Sequence, residues 1–178
     1  MDHQLEQTEL RKRRPPALWR LVIAAMLCAM MAAVTLVRIP AANGNYFHLG
    51  DSMVYLAAAL LPTGYAVATA ALGGALADLL AGAPVWIIAT VPIKAALALL
   101  FTSRGGILVN RRNIIACFLA IPITCGGYYL AEGLFFGNWV APLAMLPLNL
   151  LQAVAGGIVF LAIATLLDRS GFTRRFWG

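Results

Sequence analysis

Residues 21–37 of this chain read LVIAAMLCAMMAAVTLV, a run in which Thr35 is the one residue that is not apolar. A helix rises about 1.5 Å per residue, so about 20 residues cross the roughly 30 Å hydrocarbon core of a bilayer. The run is longer than the apolar core of a typical signal peptide, and no clear small-x-small cleavage motif ends it. It therefore predicts a first transmembrane span over residues 18–37 that is retained in the protein.

The composition of the whole chain also indicates a membrane protein. Of the 178 residues, 62% are hydrophobic and 11% are charged, and the mean hydropathy is +0.84. About a quarter of the residues in a soluble domain are charged, so these few charges cannot cover a water-exposed surface. The formal net charge of +6 is concentrated at the ends of apolar segments, as in membrane proteins. No nucleic-acid-binding module accompanies it, so a nucleic-acid partner is not expected.

Further apolar segments follow the first, separated by Pro, Gly and polar residues that favour turns. The predicted spans cover residues 18–37, 51–61, 65–81, 85–102, 114–136 and 142–167. Turns are expected at 62–64 and 82–84, and loops at 38–50, 103–113 and 137–139. We therefore predict an all-α integral membrane protein, a bundle of six transmembrane helices over residues 17–168, between basic cytoplasmic tails at 1–16 and 169–178.

The second predicted span is short. Eleven residues, 51–61, rise only about 16 Å as a helix, which cannot cross the hydrocarbon core alone. The segment could begin within the preceding loop, continue past Pro62 or be covered by protein. The sequence leaves these three possibilities open.

The basic residues give the predicted bundle an orientation. With both ends of the chain in the cytoplasm, eleven of the thirteen basic residues lie on the cytoplasmic side. They are Arg11, Lys12, Arg13, Arg14, Arg20, Arg104, Arg111, Arg112, Arg169, Arg174 and Arg175. Arg38 falls outside, and Lys94 lies within the fourth span. Cytoplasmic loops are enriched in Lys and Arg, so this asymmetry favours six spans with both termini inside.

Polar and aromatic residues converge on one layer of the predicted bundle, just below its outer surface. Ionisable residues inside a membrane are costly and usually face protein or a cavity. Such a layer is what a pocket for a small polar or aromatic molecule from outside requires. The candidate substrate-binding residues are Asn45, Tyr46, His48, Asp51, Asp78, Trp86, Lys94, Tyr128, Glu132, Trp139, Asn149 and Gln152.

Several of these residues also have structural interpretations. Asp51 follows a glycine at a helix start, where it would serve as an N-cap, and Asp78 and Lys94 would form an ion pair between neighbouring helices. Glu132 would extend to the membrane surface. Trp86 and Trp139 would anchor the bundle at the membrane interface. Tyr128 and Tyr129 are adjacent, so only one of them is expected to face a cavity.

A strip of small residues marks the first span. Ala25, Ala29 and Ala33 repeat every four residues, a spacing that lets another helix approach closely. The strip would serve either for packing within the bundle or for docking to a separate membrane subunit.

Motifs of catalysis and metal binding are missing from the sequence. It contains no G-x-x-x-x-G-K-[ST] phosphate loop, no H-E-x-x-H and no G-x-S-x-G. Cys28, Cys117 and Cys125 lie in apolar segments without metal-ligand spacing. We expect neither an enzyme nor a cofactor or metal, and energy for uphill transport would come from a partner or a co-transported ion.

Four motifs resemble the substrate-binding S components of energy-coupling factor (ECF) transporters. Residues 46–51, YFHLGD, are similar to an aromatic-x-x-L-G-D motif, and 72–82, LGGALADLLAG, to G-x-x-L-A-D-L-x-x-G. Residues 92–94, PIK, are similar to an I-K motif, and 147–156, PLNLLQAVAG, to P-x-N-x-x-Q-x-x-x-G. Their order and spacing cover residues 18–168, although the third span is richer in Ala and Gly than the resemblance leads us to expect.

The resemblance implies a subunit of the prokaryotic cell membrane with a vitamin pocket near the outer face, gated by the first loop. It implies docking, through the alanine strip, to an ECF transmembrane coupling subunit with two ATPase subunits. The implied substrate is a small heteroaromatic vitamin or precursor of the riboflavin, pyridoxine or hydroxymethylpyrimidine class. With one lysine in the layer, we favour a neutral or weakly cationic heterocycle over a carboxylate-bearing vitamin.

Three other functions remain open at the level of sequence. A stand-alone proton- or ion-coupled carrier would use Asp78, Glu132 and Lys94 as a proton relay. A small membrane enzyme would need a nucleophile–base or metal pattern, which is not found. A purely structural subunit would not need the outer polar layer.

Overall fold

The computed structural model describes residues 17–40, 46–102 and 106–177, apart from the side chains of 46, 174, 175 and 177. Its α-helices are α1 (Ala17–Leu36), α2 (Gly50–Leu60), α3 (Thr63–Leu80), α4 (Ile87–Leu100), α5 (Arg111–Phe136), α6 (Leu146–Arg169) and α7 (Phe172–Trp177). Short 3₁₀ segments, Pro84–Trp86 and Ala141–Met145, lead into α4 and α6. The predicted tail at 1–16, Asn45 and Arg104 lie outside the described residues.

The all-α prediction is confirmed, because a helix lies on each predicted span. Four helices are long and apolar enough to cross a membrane, namely Ala17–Leu36, Thr63–Leu80, Arg111–Phe136 and Ala141–Arg169. Pro84–Leu100 is apolar but shorter. Many of their large apolar side chains, including Leu18, Ile88, Phe118 and Ile158, are exposed on the outside of the bundle. Such a surface is stable only against lipid.

The short helix α2 is the centre of the bundle. All eleven of its residues are buried, and it packs against α1, α3, α4 and α6. Of the three possibilities for this segment, the structure therefore has it covered by protein. Its Tyr55 ring stacks on Phe101 with centroids 4.7 Å apart and meets the edge of Phe160 at 6.2 Å.

Glycines allow α2 and its neighbours to approach closely. A Cβ on Gly156 of α6 would lie 3.1 Å from the Asp51 Cβ, so a larger residue there would separate α6 from α2. A Cβ on Gly74 of α3 would lie 2.8 Å from Thr90 Cγ2 of α4. The small residues of the third span thus bring α3 and α4 together, and these two helices have an extensive contact.

Two predicted turns or loops are shorter in the structure. Thr63 already belongs to α3, because Pro62 occupies the N-cap position before the helix and ends the turn there. The loop predicted at 103–113 ends earlier, since Asn110 caps α5 and accepts a hydrogen bond from the Asn113 amide at 3.0 Å. The predicted loop at 38–50 contains a small antiparallel pair of strands, β1 (Ile39–Pro40) and β2 (Tyr46–Phe47).

The inner ends of the helices are joined by two polar side chains, one buried and one partly buried. The Asn113 side chain accepts from Thr102 N at 2.8 Å and donates to Thr102 O at 3.0 Å and Leu108 O at 2.9 Å. Asp168 of α6 accepts from Leu108 N at 3.0 Å and Val109 N at 2.9 Å. These bonds hold the segment between α4 and α5 against the inner end of α6. After Gly171, whose φ is +72°, α7 packs back against α6.

Candidate functional site

A buried ion pair joins three helices near the outer end of the bundle. Lys94 of α4 is 3% exposed and donates from Nζ to Asp51 Oδ1 of α2, which is fully buried. Gln152 of α6 donates from Nε2 to the other carboxylate oxygen of Asp51 at 3.2 Å. Burial of two charges is tolerated when each has a charged partner and further hydrogen bonds. The positive charge of Lys94 is therefore neutralised inside the protein.

This arrangement corrects two interpretations of the sequence. Asp51 is not an N-cap, because Leu49 holds that position and the helix begins at Gly50. Lys94 pairs with Asp51 and not with Asp78. The reason is the packing of α2 inside the bundle, which directs the first turn of that helix toward α4 and α6.

His48 lies directly before α2, outside the membrane-spanning helices. Its Nδ1 accepts a hydrogen bond from the Gly50 amide at 3.3 Å, which requires that nitrogen to be unprotonated. Burial, with a smaller effect from the nearby Lys94 charge, lowers the pKa of His48 to about 4. His48 is therefore a neutral imidazole at physiological pH.

Above the ion pair lies a cavity of about 310 Å³. It is bounded by the loop before α2, the outer ends of α3 and α5, the start of α4 and the start of α6. Its lining residues are His48, Asp78, Ala81, Ala83, Trp86, Thr90, Tyr128, Glu132, Met145, Leu148, Asn149 and Gln152. The predicted topology places this end of the bundle outside the cell, because α1 starts at the opposite end.

Aromatic rings form one side of the cavity. The Trp86 ring lies 6.3 Å from the Tyr128 ring, 5.9 Å from Phe135 and 6.2 Å from Phe136, measured between centroids. Lys94 Nζ lies 5.8 Å from the centroid of Tyr128. Tyr128 thus stands between the cavity and the buried ion pair. Its neighbour Tyr129 points elsewhere and donates to the Trp139 carbonyl at 3.0 Å.

Two carboxylates belong to the cavity wall, Asp78 from α3 and Glu132 from α5. The Asp78 Oδ2 atom is buried and has no hydrogen-bond partner among the described residues. A buried carboxylate oxygen normally accepts at least one hydrogen bond. Asp78 therefore has, beside the cavity, a buried acceptor that the described part of the protein leaves unsatisfied.

The structure brings seven of the twelve predicted binding residues to this cavity. They are His48, Asp78, Trp86, Tyr128, Glu132, Asn149 and Gln152. Asp51 and Lys94 lie beneath the wall and touch it through Gln152. Trp139 is 46% exposed and packs over Gly133 outside the cavity. Asn45 and the Tyr46 side chain lie outside what the structure describes, and contact of any of these residues with a substrate stays a prediction.

Five lining residues were not predicted: Ala81, Ala83, Thr90, Met145 and Leu148. Thr90 had a recognisable signal, because it lies four residues before Lys94 on a helix and so on the same face. Met145 and Leu148 follow an apolar run in which nothing marks a lining position. The 3₁₀ segment Ala141–Met145 brings them to the cavity, and the sequence did not predict that segment.

The alanine strip lies on the outer surface of α1. Ala25, Ala29 and Ala33 are all exposed, whereas Ala24, Leu27, Met31 and Ala32 face the core. The strip is therefore not used for packing among the described residues. Its role in docking stays a prediction.

A family model described as "ECF-type riboflavin transporter, S component" matches residues 18–169 of this chain. The match includes every helix that contributes to the cavity and ends at the last residue of α6. The chain matches no curated protein.

Proposed function

Since this chain belongs to the ECF-type riboflavin transporter S-component family, we propose that it binds a small heteroaromatic vitamin or vitamin precursor from outside the cell. The family consists of multi-pass plasma-membrane proteins that bind a vitamin for a transporter, and it is not a family of enzymes. Within it, the riboflavin, pyridoxine and hydroxymethylpyrimidine classes are the substrates we propose for this chain.

The observation that supports binding is the cavity at the outer end of the bundle. It combines an aromatic side, formed by Trp86 and Tyr128, with polar groups on several helices, including Asn149 and Gln152. Ligand sites share this composition, and a volume of about 310 Å³ is at the lower end of their range. A single heteroaromatic ring with small substituents suits such a site.

Ligand binding to the purified protein tests this proposal. A ligand at a hundredfold excess over its Kd stabilises the folded state by about 2.7 kcal/mol, which a thermal-unfolding curve in detergent resolves. We expect one of riboflavin, pyridoxine and hydroxymethylpyrimidine, or a close relative, to raise the unfolding temperature. Trp86→Ala should abolish the shift without loss of the folded protein. A full set of B vitamins and precursors that all leave the unfolding temperature unchanged would refute a vitamin-binding function.

We propose that the protein docks to an ECF transmembrane coupling subunit with two ATPase subunits, which supply the energy for uptake. The exposed strip at Ala25, Ala29 and Ala33 supports this, since small residues allow close helix approach where no hydrophobic effect drives association. Ala29→Trp should abolish uptake in cells that contain the coupling module and leave the Kd of the purified protein unchanged. Met30→Trp is the matched control, because Met30 is exposed on the same helix beside the strip. Equal loss of uptake in both variants would argue against docking at the strip.

A stand-alone ion-coupled carrier is the second candidate, favoured by the two carboxylates in the cavity. Uptake measured in cells that lack every coupling module distinguishes the two mechanisms. Uptake there that an uncoupler abolishes would establish the carrier, whereas uptake that appears only with active ATPases would establish the ECF mechanism.

A further inference from the structure

We propose that the ligand of this cavity is a small, positively charged nitrogen heterocycle with several N–H or O–H donors, bound by the carboxylates of Asp78 and Glu132. The inference rests on the proposed vitamin-binding function and narrows its substrate class. It departs from the flavin in the description of the family, and the charges and hydrogen-bonding groups of the cavity wall carry it.

The charge of the wall is negative. Asp78 and Glu132 are its carboxylates, and none of the described lining residues is Lys or Arg. Lys94, the nearest lysine, is already paired with Asp51. His48 is neutral, since its pKa lies at about 4, and Arg38 is an exposed residue that is not part of the lining.

The rest of the first outer loop does not change this balance. Residues 41–45 read AANGN and contain no ionisable side chain. Whatever position they take, they bring neither a positive nor a negative side chain to the cavity. A ligand cation is therefore the group that would neutralise the wall.

The wall contains both hydrogen-bond donors and acceptors, and its charged groups are acceptors. Gln152 donates from Nε2 to Asp51. The negative charge of the Asp51 carboxylate fixes this orientation of the Gln152 amide, because the amide oxygen would be repelled by the carboxylate. The Gln152 Oε1 atom is then left as the acceptor of this amide. Asp78 and Glu132 add carboxylate oxygens to the same wall, and Asp78 Oδ2 has no hydrogen-bond partner among the described residues.

A donor-rich cation complements the two carboxylates of this wall better than a flavin does. A hydrogen bond between an ionised donor and a carboxylate is about twice as strong as one between neutral groups, and a cation near the Trp86 ring gains a further cation–π attraction. The isoalloxazine ring of a flavin presents two carbonyl oxygens and several acceptor nitrogens with one ring N–H. Apart from this N–H and the hydroxyls of the ribityl chain, riboflavin brings acceptors and no positive charge to Asp78 and Glu132.

Isothermal titration of the purified protein with two matched groups of vitamins tests the inference. The cationic probes are thiamine and pyridoxamine, and the neutral probes are riboflavin and pyridoxine. Pyridoxamine and pyridoxine share one ring and differ in an aminomethyl against a hydroxymethyl group, so their comparison isolates the charge. We expect the tightest binder to be cationic, and pyridoxamine to bind at least tenfold more tightly than pyridoxine.

Charge-removing variants show whether the two carboxylates are responsible. Asp78→Asn and Glu132→Gln keep the size of each side chain, and each should weaken binding of the tightest cationic probe at least tenfold while pyridoxine binding changes less than threefold. Asp168→Asn makes the same charge change at the opposite end of the bundle and should leave both affinities unchanged. Size-exclusion profiles and the unfolding temperature establish that each variant is folded.

The possible results separate this inference from the proposed function. Tighter binding of riboflavin or pyridoxine than of either cation, or a cation affinity that both variants leave intact, would overturn the charge inference and leave a vitamin-binding subunit. Binding of none of the four probes would count against the cationic class, and the wider set of vitamins described above would then decide whether the subunit binds a vitamin.

Discussion

The inner and outer ends of the helix bundle use polar residues in opposite ways. At the inner end, Asn113 bonds to Thr102 and Leu108, and Asp168 accepts from two backbone amides. At the outer end, one oxygen of Asp78 has no partner among the described residues, and Asp78 lies with Glu132 at an open cavity. Buried polar groups that are fully bonded specify a structure, and those left unsatisfied require another explanation. The contrast therefore supports a role in the fold for the inner residues and the proposed role in ligand binding for the outer ones.

Below the outer cavity, the Asp51–Lys94 pair shows the largest expected effect on stability. Lys94→Met leaves a fully buried carboxylate without its counter-charge, which costs about 3–5 kcal/mol. The double variant Asp51→Asn with Lys94→Met removes both charges and should recover most of this loss. Unfolding in a detergent–denaturant mixture measures both variants. A double variant as unstable as Lys94→Met would show that the packing of these side chains, and not their charge, matters most.

A pair of asparagine variants compares the two ends directly. Asn113→Ala deprives three backbone groups of their hydrogen bonds, so the free energy of unfolding should fall by about 2–3 kcal/mol with no change in ligand Kd. Asn149→Ala, in the cavity wall, should weaken ligand binding about tenfold and change stability by less than about 1 kcal/mol. Unfolding curves and titration of the same preparations check both.

The opposite pattern would remove the distinction between the two ends. A folded Asn113→Ala protein with weakened binding, or an Asn149→Ala protein with unchanged Kd and reduced stability, would mean that polar groups at both ends serve the same purpose.

The smallest predicted effect is a pH dependence from His48. Its pKa is about 6.5 in an unfolded chain and about 4 in the folded protein, so the unfolded state binds more protons between these values. The stability from this group is present above pH 6.5 and is lost as pH drops toward 4, by about 1.4 kcal/mol at pH 5.5. His48→Gln should flatten this part of the stability profile. An unchanged slope in the variant would show that His48 does not titrate in this range.

The sequence predicted the longer helices well because each of them is a long apolar run that ends at a clear break. The helices over residues 21–37 and 114–136 could be predicted from these segments alone, without information on the elements that pack against them. Ionisable residues within apolar segments also indicated the outer polar layer, because a charged side chain inside a membrane usually faces protein or a cavity. Asp78 and Glu132 could be proposed on that ground alone.

The partners of those residues could not be read from the sequence. Lys94 had carboxylates on two other spans within reach, and the choice of Asp51 over Asp78 depends on how α2 sits inside the bundle. The burial of α2 itself follows from close contacts such as that of Gly156 with Asp51. Met145 and Leu148 line the cavity because of a 3₁₀ segment that no pattern in the sequence predicts.

Fluorescence of Trp86 tests the central claim, that the outer cavity is the ligand site, most directly. The chain has four tryptophans, and a variant with Trp19→Phe, Trp139→Phe and Trp177→Phe leaves Trp86 as the one emitter. Addition of a ligand that calorimetry shows to bind should change the intensity or wavelength of its emission. A control protein that keeps Trp19 and has Trp86→Phe should stay unchanged, because Trp19 lies at the inner end of α1. If calorimetry shows binding to the protein that keeps Trp86 alone, and the emission of Trp86 does not change, the assignment of the cavity as the binding site is contradicted.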